Sequence, residues 1–201
     1  MDLIKWVIPR VSWKDTKGIL LVSLIGALCA GFYGIIHDQV TYSISAEYFT
    51  RNKFQQFAYA EPRNGSERLF AGTIGFLATW WVGALLAWVM ARVAILKGWG
   101  MPSLREFSGA FAITFSVSFL VALGGLGYGF WRKTTGYAGS WIEWMDALGV
   151  EDREAFMTVG YIHNSSYLGG VLGTFVAIGY LRSENRKAMG ERELAESQGE
   201  G

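Results

Sequence analysis

The chain has two histidines, His37 and His163, and each heads a run of side chains able to bind protons or cations. The first run, HDQVTYSISAEYFT over residues 37–50, sets Asp38, Gln39, Thr41 and Glu47 behind His37. The second, HNSSYLGG over 163–170, sets Asn164, Ser166 and Tyr167 behind His163. Imidazole titrates near neutral pH and is the commonest metal ligand, and a carboxylate beside it can relay a proton or complete a cation site. His37 and His163 with Asp38 or Glu47 therefore make a donor set for a divalent metal, structural or catalytic. A bis-histidine haem is a variant of the same pairing, with nothing haem-specific near either residue. The spacings fit no standard zinc motif. The same groups, joined by Gln39, Thr41, Asn164, Ser166 and Tyr167, could instead form a hydrogen-bonded network, and networks inside membrane bundles often do no more than join helices.

Other chemistry is sparse. The single cysteine, Cys29, excludes an internal disulfide or a cysteine-cluster metal site. No nucleophile elbow, Walker loop or HExxH motif is present, so no catalytic residue is assigned. The GGLGYG run at 124–129 lies inside an apolar block, where close helix packing explains it better than a dinucleotide loop. A formal net charge of +1 points to neither nucleic acid nor an acidic polymer as a partner.

The elements that must position the histidines are apolar blocks. Residues 18–37, 69–91, 107–131 and 155–181 are each long enough to cross a hydrocarbon core, which needs about 20 residues of helix. None shows the polar stripe of a soluble bundle helix. The predicted fold is an all-α membrane protein, a four-transmembrane-helix bundle. A cleaved signal peptide at the first block is disfavoured by the long segment before it, and bulky Leu28 before Cys29 argues against a lipoprotein site. Asp15 or Thr16, Ser66, Ser103 with Glu106, and Asp152 are placed to cap the four helices.

Segments 1–17, 92–105 and 182–201 hold eleven of the 18 Lys and Arg residues; 38–68 and 132–154 hold seven. The bias places both termini in the cytoplasm and the longer loops outside. Segment 1–17, with Trp6, Val7, Ile8, Val11 and Trp13, reads as interfacial. Residues 182–201 read as a polar tail that extends the last helix briefly and then frays. Between His37 and the second span, alternation of Val40, Tyr42 and Ile44 with Thr41, Ser43 and Ser45 predicts a short extended stretch. Ser45 would then cap an amphipathic helix carrying Tyr48, Phe49, Phe54 and Phe57, a cap over the bundle. Trp141 and Trp144 mark a second interfacial segment.

Small-residue ladders at Gly26, Ala30 and Gly34, at Gly75, Thr79 and Gly83, at Gly125 and Gly129, and at Gly169, Gly170 and Gly173 allow close helix approach and make a homo-oligomer plausible. His163, Ser166, Tyr167, Gly170 and Thr174 share one helix face, which should point into the bundle because burying it in lipid is costly.

The HDQVTYSISAEYFT stretch, ATWWVG in the second span and HNSSYLGG in the fourth resemble a family of uncharacterised bacterial four-span inner-membrane proteins. The resemblance covers roughly residues 18–181. It implies a location in the bacterial inner membrane and carries no activity with it. The functional expectation is a binding or assembly protein, rather than an enzyme, with a periplasm-facing histidine and carboxylate cluster. The alternatives are a small proton or cation transporter or channel, or a metal-dependent membrane enzyme using the same cluster.

Overall fold

The computed structural model describes residues 12–137 and 139–199, and all regular structure among them is helical. The expected interfacial role of Trp6, Val7, Ile8 and Val11 lies outside the described residues. Four long helices dominate: α1 (Trp13–Ile44), α2 (Glu67–Leu96), α3 (Leu104–Thr135) and α5 (Arg153–Gly199), with the short amphipathic α4 (Gly139–Ala147) before the last. Helices α1, α2 and α3 are long and apolar enough to cross a membrane, as in a multi-pass membrane protein. Their outward faces carry Leu20, Leu24, Phe32, Trp81, Phe119 and Leu120 in the open, as lipid contact requires.

Helix starts follow local chemistry. Ser66 accepts from the Leu69 amide, and Asp152 accepts from the Ala155 amide. Ser103 and Glu106 form the full reciprocal capping box at α3. At α1 the cap is Ser12, which accepts from the Asp15 amide, rather than Asp15 or Thr16 themselves. Thr16 is already inside the first turn and donates its hydroxyl to the Ser12 carbonyl. Ser103→Ala should cost α3 about 1 kcal/mol of stability. Thermal unfolding in detergent, compared with Ser108→Ala on the exposed face of the next turn, measures it.

The ladders of small residues pair the long helices two by two. Gly26 and Gly34 of α1 meet Gly83 and Gly75 of α2 so closely that backbone touches backbone. Thr79 strengthens this seam by donating to the Ala30 carbonyl at 2.7 Å. On the other side, Gly125 and Gly129 of α3 meet Ser165 and Thr158 of α5, and Gly169 and Gly173 of α5 meet Ser118 and Thr114 of α3. These glycines are therefore occupied within the chain and lend no support to a second copy. Gly170 faces away from such contact.

Two expectations need correction. Residues 40–45 are not extended, because α1 continues unbroken to Ile44. Asp38 and Thr41 are 4% and 1% exposed, while Ile36 and Val40 are 66% and 57% exposed. Polar residues in and apolar residues out at helical spacing is the order a helix takes when its solvent is hydrocarbon. The tail does not fray near Arg182 either, since α5 runs on to Gly199. Residues 183–199 are rich in Glu, Arg and Ala, which favour helix, and Lys187 pairs with Glu184 one turn back.

Beyond Ser45 the chain turns back over the bundle as an elbow. One π-helical stretch, Tyr48–Lys53, runs into helical turns at Phe54–Gln56 and Ala58–Ala60. Ser45 caps it by accepting from the Tyr48 amide. Phe49 is fully buried, and Phe54 stacks on Phe70 of α2.

Candidate functional site

Continuation of α1 past His37 is what builds the site. It places Tyr33, His37 and Thr41 one turn apart on the same face, with Asp38 beside them. Helix α5 brings His163 against this face from the other helix pair. The two imidazole rings meet edge to face with centroids 4.7 Å apart. His163 Nε2 lies 3.7 Å from Asp38 Oδ1, and one ligand atom from each of His37, Asp38 and His163 lies within 4.8 Å of the other two. His163 and Asp38 are each 4% exposed.

Hydrogen bonding leaves this group underserved. Thr41 donates its hydroxyl to the His37 carbonyl at 3.0 Å, which leaves Nε2–H of His163 as donor to Thr41 Oγ1 at 3.2 Å. The His163–Asp38 separation is too long for a hydrogen bond. Among the described residues no hydrogen bond reaches the His37 ring or the Asp38 carboxyl group. Around the group stand aromatic rings: Tyr33 5.7 Å from His37, and Tyr48 5.0 Å from His163, centroid to centroid. Lys53 of the elbow is the cation whose charge acts on Asp38, without ion-pair contact. Burial holds the Lys53 ammonium below the usual lysine range, and Asp38 works in the opposite direction. Burial likewise pushes the Tyr48 phenol up, so it stays protonated.

A second polar layer lies one turn further into the bundle. Tyr33 OH, Ser118 Oγ and Ser166 Oγ close a triangle with sides of 3.0, 3.1 and 3.3 Å, and Ser118 also donates to the Ser166 carbonyl. It joins α1 to the α3–α5 pair. Both layers line a cavity of about 80 Å³ between the two helix pairs. The cavity continues past Thr79 and Thr114 and also reaches Leu86, Met90 and Phe111.

No family model matches the chain, and neither a curated protein nor a solved structure does. The geometry alone therefore carries the functional reading.

Several residues of the predicted network stand elsewhere. Glu47 is not in the ligand group. Its carboxylate accepts from the amides of Glu151 and Asp152 at 3.1 and 2.7 Å, tying the elbow to the start of α5. Backbone amides before a helix are strong carboxylate partners, and a residue on the returning elbow reaches them before it reaches the histidines. Gln39 turns outward and donates to the Arg68 carbonyl at 2.8 Å, while Tyr42 bonds Glu67, so both fix α1 to the start of α2. Asn164 is exposed and stands outside the ligand group, in a pocket with Tyr48 and Lys53. The predicted inward face of His163, Ser166 and Thr174 is buried, and Tyr167, 42% exposed, stands at the cavity edge. Tyr33 escaped the sequence reading. Its spacing of four from His37 and eight from Thr41 marks it only once the helix is known to continue.

Proposed function

We propose that this protein is a four-span bacterial inner-membrane protein that binds one divalent transition metal at His37, Asp38 and His163, acting as a binding or assembly protein. The observation that carries the metal reading is the meeting of three ligating groups, buried Asp38 and His163 and half-buried His37, whose hydrogen-bonding capacity the surrounding protein leaves largely unused. Two imidazole nitrogens and a carboxylate oxygen suit zinc, with one coordination position left toward the cavity. Two ligands on a tetrahedral zinc stand about 3.4 Å apart, so the 3.7 Å between His163 and Asp38 needs little contraction. Coordination by His163 Nε2 exchanges its bond to Thr41 for a bond to the metal.

The fourth span is α5. Its His163–Tyr167 run lowers its hydropathy, yet it packs along α3 from Thr158 against Gly129 to Tyr180 against Gly109, so the two helices share one depth. Four spans put both termini on one side, and the Lys and Arg bias makes that side cytoplasmic. The site and the elbow then lie near the periplasmic face. The inner-membrane location rests on the resemblance of the HDQVTYSISAEYFT and HNSSYLGG stretches.

A proton or cation path is the second reading, favoured by the Tyr33–Ser118–Ser166 layer below the histidines. Against conduction stands the apolar lining at Leu86, Met90 and Phe111. Against an enzyme acting on an organic substrate stands size: 80 Å³ is about half of the ~150 Å³ that accommodates benzene in an engineered cavity. Elemental analysis of the chelator-stripped protein after zinc reloading should find about one zinc per chain. Zinc no higher than in a denatured control would end the metal reading. Proton or zinc flux into vesicles carrying the protein, above that of empty vesicles, would favour transport over binding.

A further inference from the structure

On the far side of Tyr48 from His163, the elbow, α4 and the first turns of α5 border a second pocket of about 230 Å³, open to the surface at Gln56, Trp141, Trp144 and Asn164. Its polar lining is Asn52, Lys53, Gln56 and Asn164. Gln56 Nε2 donates to Asn52 Oδ1 at 2.7 Å. That bond leaves the Asn52 amino group, the Gln56 carbonyl and the whole Asn164 carboxamide without a protein hydrogen bond among the described residues. Lys53 likewise has no ion pair there. Its ammonium lies 5.9 Å from the Tyr48 ring centroid. The apolar walls are aromatic: Trp141 meets Trp144 edge to face at 5.8 Å, and Trp144 meets Phe156 at 5.3 Å.

These groups specify a ligand by chemistry. A half-buried ammonium without a carboxylate in contact calls for an anion. Carboxamides with free donors and acceptors suit hydroxyl groups, which both give and take hydrogen bonds. Indole faces and edges cover C–H surface and favour the boundary between hydrocarbon and water. We infer that this pocket binds a phosphate ester of a small polyol, with the phosphate at Lys53 and the hydroxyls at Asn52, Gln56 and Asn164. Phosphoglycerol is the simplest such group. It has two sources: the headgroup of phosphatidylglycerol, or free glycerol phosphate in solution. The lipid source rests on the four-span topology proposed above, which puts α4 and the elbow at headgroup depth. The free ester does not depend on it, and neither source depends on metal binding.

The full chain in neutral detergent, offered phosphatidylglycerol or phosphatidylcholine and read by native mass spectrometry, tests the lipid. Titration calorimetry with glycerol 3-phosphate tests the free ester. Phosphatidylcholine carries the same phosphate, so the preference for phosphatidylglycerol comes from its hydroxyls and should be about tenfold, the size of two neutral hydrogen bonds. Lys53→Met should weaken binding of phosphatidylglycerol and of glycerol phosphate by about tenfold, for one charge-assisted hydrogen bond, and Asn164→Leu should reduce the preference for phosphatidylglycerol by roughly threefold or more, for one neutral hydrogen bond. Binding of glycerol phosphate alone, lost in the same variants, would identify the soluble source and weaken the topology instead. Circular dichroism shows whether each variant is folded. Equal binding of the two lipids with no uptake of glycerol phosphate would overturn the inference. So would unchanged binding by both folded variants.

Discussion

Asp38→Asn should lower zinc affinity by at least about a hundredfold while leaving the helical fold intact. Loss of residues that merely orient metal ligands typically costs 10- to 100-fold, so loss of a ligand should cost no less. Asparagine keeps the size and shape of aspartate and removes the carboxylate that would bind the metal beside the two imidazoles. His163→Ala should lose binding as well, but it also opens space in a buried layer and breaks the Thr41 bond, so the isosteric variant is the cleaner measurement. Glu47→Gln is the decisive comparison. Sequence places Glu47 in the same donor set, whereas the structure commits its carboxylate to the Glu151 and Asp152 amides. Zinc affinity should therefore be unchanged in Glu47→Gln, with a stability loss on the order of 1 kcal/mol. Competition with a chromophoric chelator reads all three variants. Full zinc affinity in Asp38→Asn, or loss confined to Glu47→Gln, would sink the assigned ligand set.

The difference between those carboxylates also shows what the sequence could and could not say. Apolar block length is a one-dimensional property, and it located α1, α2 and α3, although α1 runs seven residues past the predicted end of its span at His37. The glycine ladders were equally visible, because every rung that mattered sits at a spacing of four. Their pairing was not, since any two ladders could meet; only backbone contact of Gly34 with Gly75, and of Gly173 with Thr114, assigns partners. Residues 40–45 misled for a physical reason. Alternation of apolar and polar side chains signals a strand when one side faces water, but Asp38, Thr41 and Ser45 also fall at spacings of three and four. In hydrocarbon that second pattern governs, because a helix satisfies its own backbone and an isolated extended strand does not. Once the helix is extended, His37, Asp38 and Thr41 follow as one surface, and Tyr33 with them. Nothing local to Glu47 reveals that the amides at 151 and 152 stand closer than the histidines, since that contact depends on how the elbow returns.

The helix pairing gives the largest expected effect on stability. Gly34→Ala adds one methyl group at the tightest point of the α1–α2 seam. That carbon would fall well inside 3.0 Å of the Gly75 carbonyl oxygen and the Thr79 hydroxyl, with backbone rather than a flexible side chain in its way. The helices must separate or slide, and overpacking of this kind costs about 1–3 kcal/mol. Separation also threatens the bond from Thr79 to the Ala30 carbonyl, which the same close approach permits. One turn away lies His37, so zinc affinity should fall together with stability. Gly124→Ala is the matched control. It lies in the interior of α3 with nothing within 4 Å of the added carbon. There alanine should be neutral, or stabilising by up to about 1 kcal/mol, because it restricts the chain more than glycine does. Thermal unfolding of the two variants in the same detergent compares one methyl group with another, so differences in helix propensity cancel. Equal midpoints would mean that small residues at the seam are not what holds α1 to α2, and that the histidines are brought together by something other than this approach.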